Sequence, residues 1–188
     1  MITIDKCKES GVFSNSGQIK AGDGYGHTFM GNGSALKTVK FYLSKTGTPT
    51  GNISAYLTAH TGTYGSTGLP TGAVLATSNV FDISTLTTTY SLISFTFSGA
   101  NLYNVLNNNY YCIYITYANG DGSNYVLMGS TGGSSNHPGN SIQYLSSIWY
   151  SIPADVVFYC MSEDGNNLMN YSPYLKVENG MSRSERTS

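Results

Sequence analysis

The side chains that could act as base, nucleophile or metal ligand are few in this chain and widely scattered. Nucleophilic catalysis by Ser, Cys or Thr needs a histidine to take the proton and a carboxylate to orient that histidine. His27 comes shortly before Phe29 in an extended run, His60 ends another such run, and His137 lies beside Pro138 in a loop rich in Gly and Ser. Each reads as a structural or solvated histidine. Glycoside hydrolysis needs two carboxylates at a set separation, yet Asp82, Asp121, Asp155, Glu163 and Asp164 fall in turns or at strand ends without a recognised motif. Asp121-Gly122-Ser123-Asn124 could array oxygens around calcium, but it lacks the later acidic positions of a calcium loop, and turn formation explains it. Cys7, Cys112 and Cys160 are far apart and form no C-x-x-C pair, so neither a disulfide framework nor a metal site is expected. The expectation is a protein with no enzymatic activity, no metal and no cofactor.

The 16 tyrosines and the single Trp149 are more suggestive. Tyrosine offers a broad amphipathic face at low entropic cost, and the abundant Ser, Gly and Asn supply adaptable hydrogen bonds. Two uses follow. Tyr42, Tyr56, Tyr114 and Tyr159 on outward-facing strand positions, with Tyr171 and Tyr174 near the C-terminus, would serve as assembly contacts. Alternatively Trp149, Tyr150 and Tyr125 would stack on sugar rings while Asn124 and Asn140 bond the hydroxyls. Residue by residue, capping of sheet edges explains these side chains as well.

Such side chains must be positioned by strands. Val39, Phe41 and Leu43 alternate with Lys40 and Tyr42; Ile53, Ala55 and Leu57 with Ser54, Tyr56 and Thr58; and Ile93, Phe95 and Phe97 with Ser94 and Thr96. Period-2 alternation gives each strand one apolar face, which must stack on a second sheet or close into a barrel. Strands are predicted near 25–30, 36–45, 52–60, 73–82, 91–98, 109–117, 124–129, 140–146 and 155–161, separated by turns rich in Gly, Pro, Asn and Asp. In this scheme Tyr111, Ile113 and Ile115 face the core and turn Cys112 outward, whereas Val156, Phe158 and Cys160 face inward. Opposite faces do not meet disulfide geometry, so free thiols are expected. Residues 1–22 read as an N-terminal arm or first strand containing Val12 and Phe13, residues 23–162 as one β-sandwich domain, and residues 163–188 as an extended tail. The fold class is an all-β antiparallel sandwich with extended arms.

Only 10% of the residues are charged, against about 25% in ordinary domains. With 9 basic and 10 acidic residues the net charge is -1, which gives no footprint for nucleic acid. No apolar run matches a signal peptide or a membrane span, so synthesis and release in the host cytoplasm are expected, with neither nucleic acid nor membrane as a partner.

Several phrases carry a family likeness: His27-Thr28-Phe29, the run Val39-Lys40-Phe41-Tyr42-Leu43 with its Thr46-Gly47-Thr48-Pro49 turn, Gly68-Leu69-Pro70-Thr71-Gly72, Asn109-Tyr110-Tyr111-Cys112-Ile113, and Trp149 ahead of Asp155-Val156-Val157-Phe158. From Tyr25 to Cys160 the order of elements resembles a jelly-roll module of the choice-of-anchor type, found in bacterial surface proteins and in phage and viral structural proteins. The resemblance implies fold more than function. Secreted members usually carry a leader or sit in long multidomain chains, so it implies here a virion component, either a capsid decoration protein or part of a tail or fibre. Its partners would be further copies of itself and other virion proteins. A carbohydrate-binding or adhesion module, with a surface glycan as ligand, is the alternative.

Overall fold

The computed structural model describes residues 2–7, 17–131, 137–152 and 154–162. Alternating apolar side chains give the chain two antiparallel sheets stacked face to face. The first contains β1 (Ile2–Lys6), β2 (Gly17–Ile19), β5 (Thr38–Thr46), β10 (Ser91–Thr96), β13 (Tyr125–Met128) and β16 (Phe158–Ser162). The second runs in the order β15 (Ile148–Ile152), β14 (Ser141–Leu145), β3 (Gly24–Met30), β12 (Tyr110–Thr116), β7 (Ala55–Thr61) and β8 (Leu69–Thr77). Two short ladders, β4 (Ala35–Leu36) with β11 (Tyr103–Asn104) and β6 (Asn52–Ile53) with β9 (Phe81–Asp82), tie the connections together.

β5 is the hub of the first sheet. β10 pairs with it from Thr38 to Leu43 along one edge; on the other, β16 pairs with Thr38 to Phe41 and β13 with Leu43 to Thr46. Val39, Phe41 and Leu43 point inward, as their spacing requires, and meet Phe95, Met128, Phe158 and Cys160 of the same sheet. Phe29, Leu57, Tyr111, Ile113 and Ile115 close the core from the second sheet. Each large side chain removed from water here contributes about 1.5–3 kcal/mol.

The nine expected strands all appear, and the all-β sandwich is what the chain forms. Three differences have physical causes. Residues 2–6 and 17–19, read as part of an arm or first strand, are two strands of the first sheet, where β1 pairs with β16 and β2 with β13. Their few apolar side chains, Ile4 and Ile19 among them, pack on the core only because long-range pairing holds them there. The second difference is that Trp149 and Tyr150 lie within a strand, β15, where the spacing predicts none. β14 and β15 form a hairpin through Ser146 and Ser147, both at positive φ (50° and 67°), a primed turn usually marked by Asn-Gly. Thirdly, Cys112 does face away from the core, yet it is fully buried.

Cys112 is covered because the second sheet curls on its outer face. Its opposite edges, β8 and β15, come into contact, and the segment joining β7 to β8 is bonded across to β14 and β15. Asn140 Nδ2 donates to Gly68 O at 2.9 Å, and Ser151 Oγ donates to Ser66 O. Beneath this bridge Cys112, Tyr114 and Ile142 form a second, smaller core with Tyr56, Leu69 and Trp149 packed against it. All three cysteines are buried and none is in a disulfide. Val12, Phe13, Glu163, Asp164, Tyr171 and Tyr174 lie outside the described residues.

Candidate functional site

The ionisable side chains converge between the sheets. β3 alternates Tyr25, His27 and Phe29 inward, which places His27 in the core, stacked on Phe158 at 4.9 Å and edge-on to His137 at 4.8 Å. Its Nδ1 lies 2.7 Å from the Thr28 carbonyl oxygen and its Nε2 lies 3.2 Å from Asp155 Oδ1, and the neutral ring, with a single N–H, donates to one of these two oxygens. Asp155 Oδ2 accepts from His137 N at 2.9 Å. The His137 ring takes a bond from Gly139 N on Nδ1 at 2.9 Å, which leaves its proton on Nε2 for donation to Asp5 Oδ1 at 3.0 Å. Asp5 further accepts from Lys6 N at 2.8 Å and Met30 N at 3.0 Å. The network fastens β1, the segments around 137 and 155, and β3 to one another.

Histidine paired with carboxylate is the base-and-orienter half of a catalytic triad. The thiol nearby does not complete it. Burial, with the Asp155 and Asp5 carboxylates, pushes Cys7 up to about 12, so the sulfur stays protonated, the reverse of an activated nucleophile. Burial also pulls His27 below its ordinary value. For Asp5, burial alone would raise the carboxyl, but the bonds from His137, Met30 and Lys6 outweigh it and hold the group below its ordinary value. His27 and His137 are both buried and neither is solvated.

On the outer face of the second sheet, Gly24 and Gly26 remove side chains from the middle of β3. At Gly26 a Cβ would lie 2.5 Å from Tyr114 Cβ and would collide with the Ile113 carbonyl. Rings from the flanking strands meet over this gap. Tyr56 stacks on Tyr114 at 5.6 Å, Tyr114 meets Trp149 edge-on at 4.7 Å, and Trp149 leans on Tyr144 at 5.0 Å.

The residues expected to bind a sugar are not gathered. Trp149 joins this aromatic row, while Tyr150 points to the other side of β15 and is exposed. Tyr125 is in the first sheet, with Lys20 Nζ 5.6 Å above its ring. Asn124 Oδ1 accepts from Thr48 N at 2.9 Å and its amide donates to Asp121, joining two loops. Asn140 is buried and spent on Gly68, Ser141 and Ser151. Of the residues expected to make assembly contacts, Tyr42 and Tyr159 lie on the outer face of the first sheet and Tyr56 and Tyr114 on that of the second. Asp121 accepts from Ser123 N, Asn124 N and Asn124 Nδ2, a turn that its own backbone explains. Among the described residues no group of three His, Cys, Asp or Glu side chains could hold a metal ion, and no helix is long and apolar enough to cross a membrane.

No protein-family model, curated protein or solved structure matches this chain.

Sequence reasoning missed the surroundings of Tyr110. Tyr64 and Tyr110 stack at 4.2 Å and 15°, with His60 5.6 Å from Tyr110. Hollows open beside Tyr110: one of about 420 Å³ takes in Asp5, Asn32, Tyr64 and Asn107, and one of about 380 Å³ takes in His60, Tyr103, Asn108 and Asn109. The signal in the sequence was the Asn107-Asn108-Asn109-Tyr110-Tyr111 run, in which amides and rings adjoin.

Proposed function

We propose that this chain is a non-enzymatic structural protein of a phage or related virus, a capsid decoration protein or a tail or fibre component, which acts through protein–protein assembly as a homo-oligomer. The observation that carries the reading is the chemistry of the sheet edges. β10 is an edge of the first sheet, and β8 and β15, which touch where the second sheet curls, are the edges of the second; none carries an Asp, Glu, Lys or Arg, and they expose Val74, Leu92, Ile148 and Tyr150. A protein that remains single normally guards its edges with charge, because unpaired N–H and C=O groups invite another strand. Uncharged, apolar edges suit a subunit that other copies will cover. The likeness of the turns and core positions to choice-of-anchor modules supports a virion setting, and the sealing of His27 and Asp155 from solvent supports a surface role over a catalytic one.

Contacts built from Tyr and aliphatic side chains with so few charges should depend little on ionic strength. The test is detection of the protein in gradient-purified particles, by mass spectrometry and by gold-labelled antibody. A fixed copy number per particle, unchanged after a 1 M salt wash (Debye length about 3 Å), is expected. Absence of the protein from particles made by cells that express it would refute the virion role.

A further inference from the structure

We propose that the surface around Tyr110 is a binding site for a neutral saccharide. Of the uncharged strand edges the site shares only Leu75 of β8, which lines the smaller hollow, so either proposal can fail without the other.

The platform is Tyr110, 41% exposed, whose ring is braced by Tyr64. An exposed aromatic face takes the C–H face of a pyranose, while the sugar's rim of hydroxyls needs both donors and acceptors. The amides of Asn107, Asn108 and Asn109 are all exposed, and each presents two donors and an acceptor. They stand on a turn that is held rigidly. Gly31 N donates to Asn109 O at 2.8 Å, Asn108 N to Gly31 O at 3.1 Å, and Leu106 N to Tyr111 Oη at 3.0 Å. Asn108 accepts a positive φ of 60° to make the bend. Gly31 permits the close approach, since a Cβ there would run into the Leu106 carbonyl. Groups fixed in place before the ligand arrives lose little entropy on binding.

Asp5 supplies the acceptor. Its carboxylate is 20% exposed toward the larger hollow. Oδ1 already accepts two bonds and Oδ2 accepts one, so Oδ2 keeps one lone-pair direction for a hydroxyl. The hollows, about 420 and 380 Å³, fall within the roughly 300–1,000 Å³ of small-molecule sites.

Charge decides which saccharides fit. Among the described residues no Lys or Arg lines either hollow, burial pulls His60 below its ordinary value and so keeps it neutral, and the ionised group there is the Asp5 carboxylate. A phosphate, sialic acid or uronic acid would meet a negative charge with nothing to neutralise it. The ligand class is therefore a neutral hexopyranosyl unit, single or within a chain.

The test uses the full-length protein on an array of immobilised neutral gluco-, galacto- and mannopyranosyl oligosaccharides alongside sialic- and uronic-acid-terminated ones, followed by calorimetric titration with the strongest neutral oligosaccharide. Binding to neutral sugars alone is expected. Tyr110→Ala should weaken it at least about tenfold, equivalent to about 1.4 kcal/mol, and Asn107→Ala, on an exposed turn where folding is safe, several-fold. Tyr150→Ala should leave it unchanged. The proposal is overturned if no saccharide binds, if acidic saccharides bind as well as neutral ones, or if binding survives Asn107→Ala and Tyr110→Ala in variants that melt as the wild type does.

Discussion

Replacing Asp5 by Asn keeps the shape of the side chain and removes its charge, which isolates what the carboxylate does for the fold. In the wild type its two oxygens satisfy three donors, Lys6 N, His137 Nε2 and Met30 N, at 2.8, 3.0 and 3.0 Å. An amide keeps one oxygen and turns an NH₂ group toward a donor, so whichever way it is set, one N–H faces another. A hydrogen bond to a charged acceptor is worth about 1.5–3 kcal/mol against about 0.5–1.5 for a neutral one, and an orphaned buried donor costs about 1–3 kcal/mol. One weakened bond plus one orphan gives an expected loss of about 2–4 kcal/mol at pH 7. Urea unfolding followed by Trp149 fluorescence reads this as a lower midpoint at constant slope. The pH dependence supplies the control. The folded pKa of Asp5 lies below the ordinary aspartate value, so its stabilisation is complete above the unfolded value and is lost as pH falls through the folded one. The gap between wild type and variant should therefore narrow as pH falls below the ordinary aspartate value. A gap below about 0.5 kcal/mol at pH 7, or one of equal size at pH 7 and pH 3, would refute the reasoning.

Three further outcomes are expected. Gly26→Ala should cost about 1–3 kcal/mol or more, the range for overpacking, because the added carbon meets the Ile113 carbonyl and Tyr114 Cβ; a melting temperature within a degree of wild type would contradict it. Cys7 is held at about 12, and Cys112 and Cys160 are raised further by burial, so a thiol reagent at pH 8 should label none of the three in native protein and all three in urea. His27 is kept neutral by burial, so the unfolded chain binds its proton first; stability should fall as pH drops from about 6.5, by at most about 1.4 kcal/mol per pH unit from this group, and His27→Gln should flatten that slope.

The fold was legible where one side of a strand is dry and the other wet. Val39, Phe41 and Leu43 announce β5, and Tyr111, Ile113 and Ile115 announce β12, because burial on one face imposes the period of two. β1 and β2 were obscure for the opposite reason: Ile2–Lys6 and Gly17–Ile19 carry little apolar pattern and are held by partners at Phe158–Ser162 and Tyr125–Met128. The hairpin at Ser146 and Ser147 lacked the Gly or Asn that usually betrays positive φ. The same limit hid the sites. His27 shares its inward face with Tyr25 and Phe29, a reading the alternation permits, but its bond to Asp155 spans 128 positions, and no local spacing encodes that. Tyr64 and Tyr110 stack only because β7 and β12 are neighbours in the sheet. Asn140 looked like a sugar ligand because an amide beside a loop is usually free; here it fastens the bridge over the second sheet.

The claim on which the account rests is that the chain's uncharged edges are covered by further copies. Light scattering of the full-length protein across a hundredfold range of concentration tests it most directly. The account predicts a molar mass at a fixed multiple of 20.2 kDa that shifts toward the single-chain value in Val74→Lys and Ile148→Lys variants with wild-type melting temperatures. A mass of one chain at every concentration, in the wild type as in the variants, would contradict it.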